Sequence, residues 1–425
     1  MPRSATLRLV SPLLIVLLAA CSQGTPPPAE GGDAAVETAS RFSAEDEALY
    51  LQRFSQLMEA ARLGAGLDGY DPLEPVPGAP EAAPLPMAEA RRIDAEVLAT
   101  ADEYAEKMNS NALLVWHDGA LELERYYGDH DRDALVVSRS LAKPMTAIVV
   151  GRALALGYID TLDQPVADFI TEWRDDEMRS KMLIRHLLDM RSGLLPQGLA
   201  VEPEHILNRA YLHPRHDEVI IHEYPMVDEP GTRYEYSNAT SELVAVVIER
   251  ATGIRYGEFL SREILQPIGA MGGEIWVNRP GGVAHAGCCL LLPAQTWLRL
   301  AKLLLDDGVA EGTRLLPEGY VAEMRTGTST YPRYGLGVYL PGEYVERRGF
   351  ANPERQAELR TPGVLHSAPF MADDLFMFDG NANQVVYVVP SQRLIILRTG
   401  FNPPRDPEWD NSFLPNLLLE AMATR

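Results

Sequence analysis

The chain has 425 residues, 46% of them apolar, with 38 basic against 60 acidic side chains and a formal charge of −22. That balance argues against nucleic acid or an anionic lipid surface as partner, and it disfavours strongly anionic substrates. Three cysteines exclude a disulfide framework, while the length allows a substantial core.

The first element is a targeting segment. Arg3 and Arg8 form a positive n-region, and Leu9 to Leu18 is an apolar stretch too short to span a bilayer as a permanent helix. It ends in Leu18-Ala19-Ala20-Cys21, which resembles the lipobox of bacterial lipoproteins. The resemblance implies that residues 1–20 are removed and that Cys21 becomes a lipidated N-terminus. Ser22, rather than Asp, after that cysteine implies the outer membrane, facing the periplasm. Residues 21–42 are rich in Pro, Ala, Gly, Glu and Thr and read as a flexible tether, with a reach of roughly 25 Å.

Residues 43–88 read as a short helix followed by a Pro-rich segment. Ser43 caps a helix running to about Leu63, and Pro72, Pro75, Pro77, Pro80, Pro84 and Pro86 then mark a linker or surface wrap with no readable function. Residues 89–425 form one large catalytic domain, with no other long linker inside it. Glu89 to Met108 is an amphipathic helix, with Ile93, Val97, Leu98, Ala101 and Tyr104 near one side. Two strand-like runs from Leu113 to Glu124 flank Asp118-Gly119, a hairpin signal.

The stretch Val137 to Thr146, followed by the apolar run Ala147 to Leu156, is read as the first turn of a buried helix carrying Ser140 and Lys143. Residues three apart share a helix face, so Ser140 Oγ and Lys143 Nζ can meet. A serine hydroxyl is a weak nucleophile until a base takes its proton. Lysine is a base only when its pKa is pushed down, and burial and a helix N-terminus both do that. Pro144 fits a first turn. Ser-x-x-Lys alone is a weak signal. Its weight comes from scarcity: the chain has 4 lysines against 34 arginines, so a merely solvated cation here would have been arginine, which cannot act as a base.

After that helix come Gly157-Tyr158-Ile159-Asp160-Thr161-Leu162-Asp163-Gln164-Pro165-Val166 and a helix from Ile184 to Leu194 stopped by Ser192-Gly193. Further on, Pro230 to Asn238 is a turn, an extended run and a helix start, and the helix Ala239 to Thr252 ends at Gly253. Together with Ser140-x-x-Lys143, these runs and Tyr236-x-Asn238 resemble the serine β-lactamase-related superfamily. That superfamily includes class C β-lactamases, D-alanyl-D-alanine carboxypeptidases, family VIII esterases and 6-aminohexanoate-oligomer hydrolases. The resemblance implies a five-stranded antiparallel sheet flanked by N- and C-terminal helices, with an all-helical subdomain inserted at about 140–310. It implies that Ser140, Lys143 and Tyr236 are catalytic and that Asn238 orients Lys143 or substrate. A tyrosine near an ammonium is expected to have a lowered pKa and to trade protons with it.

The rest of the chain fits this plan. His205, His213, His216 and His222 lie in an insertion-like stretch, Leu195 to Val227. His213 and His216 have a ligand-like spacing, but with no His-Glu-x-x-His and no accompanying cysteine they read as solvated residues of a site-rim loop, and no metal is assigned. Cys288 and Cys289 read as small buried residues, because adjacent cysteines rarely bond each other without strain. Trp297 to Leu305 is a packed helix. Asp374 to Phe378, Gln384 to Val389 and Leu394 to Arg398 are strands, and Ser412 to Met422 is a closing helix.

The third motif departs from the superfamily. Its relatives carry Lys-Thr-Gly, or a His or Trp variant, on the strand before the last hairpin. Sliding back from Pro390 puts that triplet near Leu375-Phe376-Met377, and the following turn reads Gly380-Asn381-Ala382-Asn383-Gln384, with Asn383 in place of a glycine. Asp379 sits where no cation is expected, and Arg325-Thr326-Gly327 and Arg398-Thr399-Gly400 lie on the wrong segments. Phe378, Asp379 and Gly380 are expected to line the substrate site, with a backbone N–H near Phe378 as second oxyanion donor. The missing lysine and the added carboxylate favour an esterase or amidase for uncharged or cationic small molecules. A β-lactamase or D-Ala-D-Ala carboxypeptidase is the first alternative, and a non-catalytic binding protein on the same fold the second. No cofactor is implied, the membrane is met through the lipid anchor only, and the oligomeric state is left open.

Overall fold

The computed structural model describes residues 41–62, 69–198, 200–359 and 363–423. The targeting segment, Cys21 and nearly all of the tether lie outside the described residues. The architecture is mixed α/β. Its centre is a five-stranded antiparallel sheet in the order Phe376–Gly380, Gln384–Val389, Leu394–Gly400, Ser110–His117, Ala120–Tyr126. Each strand was legible as a short apolar run bounded by turn residues. The Asp118-Gly119 hairpin joins the two N-terminal strands, with both turn residues at positive φ.

The sheet is buried on both faces, and period-2 alternation sorts its side chains. Leu113, Val115, Val385, Tyr387 and Ile396 pack under the Ala95–Lys107 and Phe413–Ala423 helices. Ala112, Leu114, Trp116, Val386, Val388 and Leu397 face the helical part of the molecule. The helix Ala294–Leu305 lies across this second face with Trp297 fully buried. Trp297→Ala is expected to destabilise the chain by about 3–5 kcal/mol, as for other large-to-small aromatic changes in a core. A shift in the denaturant midpoint at unchanged slope checks this.

Several boundaries differ from expectation for local reasons. The first sheet-packing helix starts at Ala95 rather than Glu89, because the Asp94 side chain accepts from Glu96 N–H and caps it there. The Ile184 helix ends at Leu188, with Met190 and Gly193 at positive φ. The stretch 195–227 holds two short helices, Ile206–Leu212 and His216–His222.

A second, four-stranded sheet runs in the order Leu73–Val76, Gly273–Trp276, Leu290–Pro293, Leu135–Val137. The Pro-rich segment thus supplies an edge strand, which suits prolines. The preceding helix, Ala44–Arg62, buries Tyr50, Arg53 and Leu57. Arg53 donates to the carbonyls of Leu212, Asn278 and Asp71 at 2.7–3.1 Å. Next to the four-stranded sheet, Cys288 and Cys289 are bonded to each other. This corrects the reading of two free buried thiols; adjacency disfavours the bond but does not forbid it.

Candidate active site

Strand Leu135–Val137 feeds a single 3₁₀ turn, Arg139–Leu141, which runs into the helix Ala142–Ala155. Arg139 is forced to φ +50°, so the chain turns sharply just before Ser140. Ser138 anchors the turn: its hydroxyl donates to the Cys288 carbonyl and accepts from Leu290 N–H at 3.1 Å. The Gln384 amide donates to Val137 O at 2.7 Å, tying the last hairpin to the strand that carries the serine.

Lys143 is buried in a helix buried on all sides. Its Nζ donates to Ser140 Oγ at 3.2 Å, Asn238 Oδ1 at 2.8 Å and Gly287 O at 3.1 Å. It also lies 4.7 Å from the centre of the Tyr236 ring. Burial pushes its pKa down, and the Glu242 carboxylate pulls the other way. Asn238 opens the helix Asn238–Thr252, and Glu242 lies one turn further along it.

Ser140, Lys143, Tyr236 and Asn238 therefore converge. Tyr236 departs from expectation in charge. Burial raises its pKa, although hydrogen bonds with the Ser140 and Tyr339 hydroxyls offset part of that. Burial thus favours the neutral phenol over the phenolate.

The third motif is also corrected. A Cβ placed on Gly380 would sit 3.1 Å from the backbone N of both Ser140 and Leu141 and 3.2 Å from Ser138 O. Phe378-Asp379-Gly380, three residues beyond the expected triplet, is thus the part of the strand that meets the nucleophile. Met377 exchanges both backbone hydrogen bonds with Tyr339, at 2.9 Å each. Strand alternation then turns the Phe378 N–H toward Val386, opposite it in the sheet, and turns the Asp379 N–H outward. Phe378 N–H is therefore spent inside the sheet, which leaves Asn381, the residue after Gly380 and one that lines the same cavity as Ser140, as the candidate second donor.

These groups open on a cavity of about 350 Å³ lined by Ser140, Tyr236, Tyr339, Arg348, Phe350 and Asp379, among others. A family model described as Beta-lactamase matches residues 97–407. The chain belongs to the β-lactamase family. A 6-aminohexanoate-dimer hydrolase of Paenarthrobacter ureafaciens is 26% identical over 242 residues, which is 54% of this chain and 60% of that protein. The chain thus spans less than two thirds of that relative. A Bacillus anthracis protein proposed to be a 6-aminohexanoate-dimer hydrolase superposes with a TM-score of 0.65 at 18% identity, over 88% of this chain and 94% of that one. EstCE1, described as a hydrolase with promiscuous acyltransferase activity, gives 0.56 at 15% identity, over 77% and 97%.

Within this β-lactamase-family site, Arg348 is a residue that sequence reasoning missed. Its guanidinium donates to the carbonyls of Leu340, at 2.9 Å, and Pro341, while its Nε has no hydrogen-bond partner among the described residues. Burial pushes the Asp379 carboxyl up to about 7, with the Arg348 charge and the Gly380 amide pulling it back. A cation therefore does stand near Asp379, contrary to the sequence expectation. Arg398, which looked like part of a chance triplet, donates to Ala382 O and Asn383 O at 2.6 and 3.0 Å and holds the turn beside the cavity.

The histidines are corrected too. His205 and His222 are exposed, but His213 and His216 are fully buried. His213 packs against Phe42 and Tyr50, and His216 stacks on His285.

Proposed function

We propose that the chain is a serine hydrolase that cleaves an ester or amide bond through an acyl-enzyme on Ser140. The observation that carries this reading is the 3.2 Å contact between Ser140 Oγ and the Nζ of a buried, pKa-depressed lysine. Ser140 Oγ attacks the carbonyl carbon while Lys143 Nζ takes its proton. The oxyanion is held by the N–H groups of Ser140 and Asn381. Collapse expels the alcohol or amine, which takes a proton from the Tyr236 hydroxyl, and Lys143 reprotonates Tyr236. Water then repeats the cycle on the acyl ester, releasing the acid and restoring Ser140. Asn238 holds Lys143 toward the serine. A panel of small esters and amides tests the reading: hydrolysis lost in Ser140→Ala supports it, and unchanged turnover would sink it.

The substrates are small, uncharged or cationic esters and amides. Asp379 gives this a pH signature. Its carboxyl is neutral below about 7 and charged above, so the preference for a cationic over a neutral ester rises across roughly pH 6 to 8. Competition assays with matched esters check this, and Asp379→Asn flattens the trend. Arg348 favours a second reading, a substrate with a terminal carboxylate such as a β-lactam or a D-Ala-D-Ala peptide. Turnover of nitrocefin or of such a peptide, lost in Arg348→Met, would establish it. The lipobox-like run Leu18-Ala19-Ala20-Cys21 supports a periplasmic enzyme held on a lipid at Cys21, and replacing Cys21 is expected to release it from the membrane fraction.

A further inference from the structure

Near Lys143, and apart from the residues that line the cavity, three side chains from three segments meet in the core. They are His216, at the start of its short helix, Glu242, on the helix that begins with Asn238, and His285, in the turn before strand Leu290–Pro293. All three are buried. Their ligand atoms lie within 4.8 Å of one another. None of the four imidazole nitrogens and two carboxylate oxygens makes a hydrogen bond of normal geometry, although the Gly287 and Ala286 amides lie close enough to help the carboxylate. Six such atoms at one point in a core are an expensive arrangement unless something satisfies them together.

The geometry points to a divalent metal site, His216–Glu242–His285, that takes Zn²⁺. His216 Nε2 and His285 Nδ1 each lie 3.8 Å from the same oxygen, Glu242 Oε2. With the two nitrogens no more than 4.8 Å apart, the point equidistant from all three atoms is at most about 2.5 Å from each. Zn–N and Zn–O bonds are about 2.0–2.2 Å, so a few tenths of an ångström of closure completes the site. Coordination also needs the two imidazole planes, now 16° from parallel, to swing so that their lone pairs converge.

The donor set is right for the ion. Two imidazoles and a carboxylate suit Zn²⁺ better than Ca²⁺ or Mg²⁺, which want oxygen ligands. Burial pushes the pKa of both imidazoles down, which favours the neutral form that offers a lone pair. The Glu242 charge would offset half of the dication. The Tyr256 hydroxyl, buried and without a partner among the described residues, lies close enough to feel the Glu242 charge. The ion would bolt together three segments that meet near Lys143. Its role is structural, because His216, Glu242 and His285 are buried and none of them lines the cavity that Ser140 opens on.

The test uses the whole mature chain, freed of metal by a chelator and then given one equivalent of Zn²⁺. Native mass spectrometry is expected to show one zinc per chain, with Tm raised by at least about 5 °C. Co²⁺ in place of zinc is expected to give the visible absorption of a four-coordinate site. Glu242→Gln and His285→Phe, the latter keeping a ring stacked on Trp276, are expected to lose both the stoichiometric zinc and the shift. His205→Ala and His222→Ala, which remove exposed histidines, are expected to keep both. A folded metal-free chain that takes up no zinc would overturn the proposal. So would zinc uptake that survives both core variants, since the ion would then be bound elsewhere.

Discussion

Lys143→Met is expected to lower kcat/KM for any ester substrate by about 10³-fold or more while leaving the fold intact. The lysine donates to Ser140, Asn238 and Gly287 from a fully buried position. No other described side chain that can act as a base is in hydrogen-bonding contact with Ser140 apart from Tyr236, whose pKa is raised by burial. Methionine fills much the same volume without charge. Losing the ammonium removes its desolvation penalty but leaves the buried Asn238 Oδ1 and Gly287 O without their donor, at a cost of about 1–3 kcal/mol for each acceptor left unpaired. Tm is therefore expected to fall by several degrees while melting stays cooperative, and assay well below that Tm separates loss of chemistry from loss of structure. Lys143→Arg is expected to be as inactive as the methionine variant, because a guanidinium does not give up its proton near neutral pH. Activity within about fivefold of the parent in either variant would remove Lys143 from the proposed mechanism.

Gly380→Val is expected to cost about 10²–10³-fold in kcat with only a small change in KM. Gly380 is extended, so the residue is not demanded by backbone conformation. It is demanded by approach: a Cβ there already stands 3.1 Å from the Ser140 and Leu141 nitrogens. A branched side chain must push the strand away from the nucleophile turn, carrying Asn381 N–H with it. An oxyanion hole of two backbone donors does not survive a displacement of that kind. Steady-state kinetics beside a melting curve checks this. A valine variant with unchanged kcat would mean that the strand edge does not hold the oxyanion.

How much of this was legible follows from sequence distance. Tyr236 and Asn238, in a nine-residue run of turn, extended chain and helix start, were identified through the resemblance to the superfamily, whereas Ser140 and Lys143 lie one helical turn apart, so local periodicity exposed that pair. The strands were legible for the same reason. The oxyanion strand was found only to within three residues, because its position depends on which residue lets Ser140 approach, a packing fact with no local signature. Arg348 was missed because it reaches the cavity from a segment of turns and short strands far from every motif. Its effect on Asp379 removes the strongest electrostatic argument for uncharged substrates alone. His216, Glu242 and His285 carry no spacing that announces them, since each comes from a different element. The isolated pair His213 and His216 drew attention instead, and only folding shows that the two rings face different neighbours. Likewise residues 43–88 carried no readable function until Arg53 was seen bonding three carbonyls beside the four-stranded sheet.

The central claim is that Ser140 is an activated nucleophile. Intact-mass analysis after treatment with a fluorophosphonate, followed by peptide mapping, tests it most directly. One adduct per chain is expected, on Ser140, formed in the parent and absent in Lys143→Met. A well-folded parent chain that forms no adduct, or one that is labelled at another residue, would contradict it.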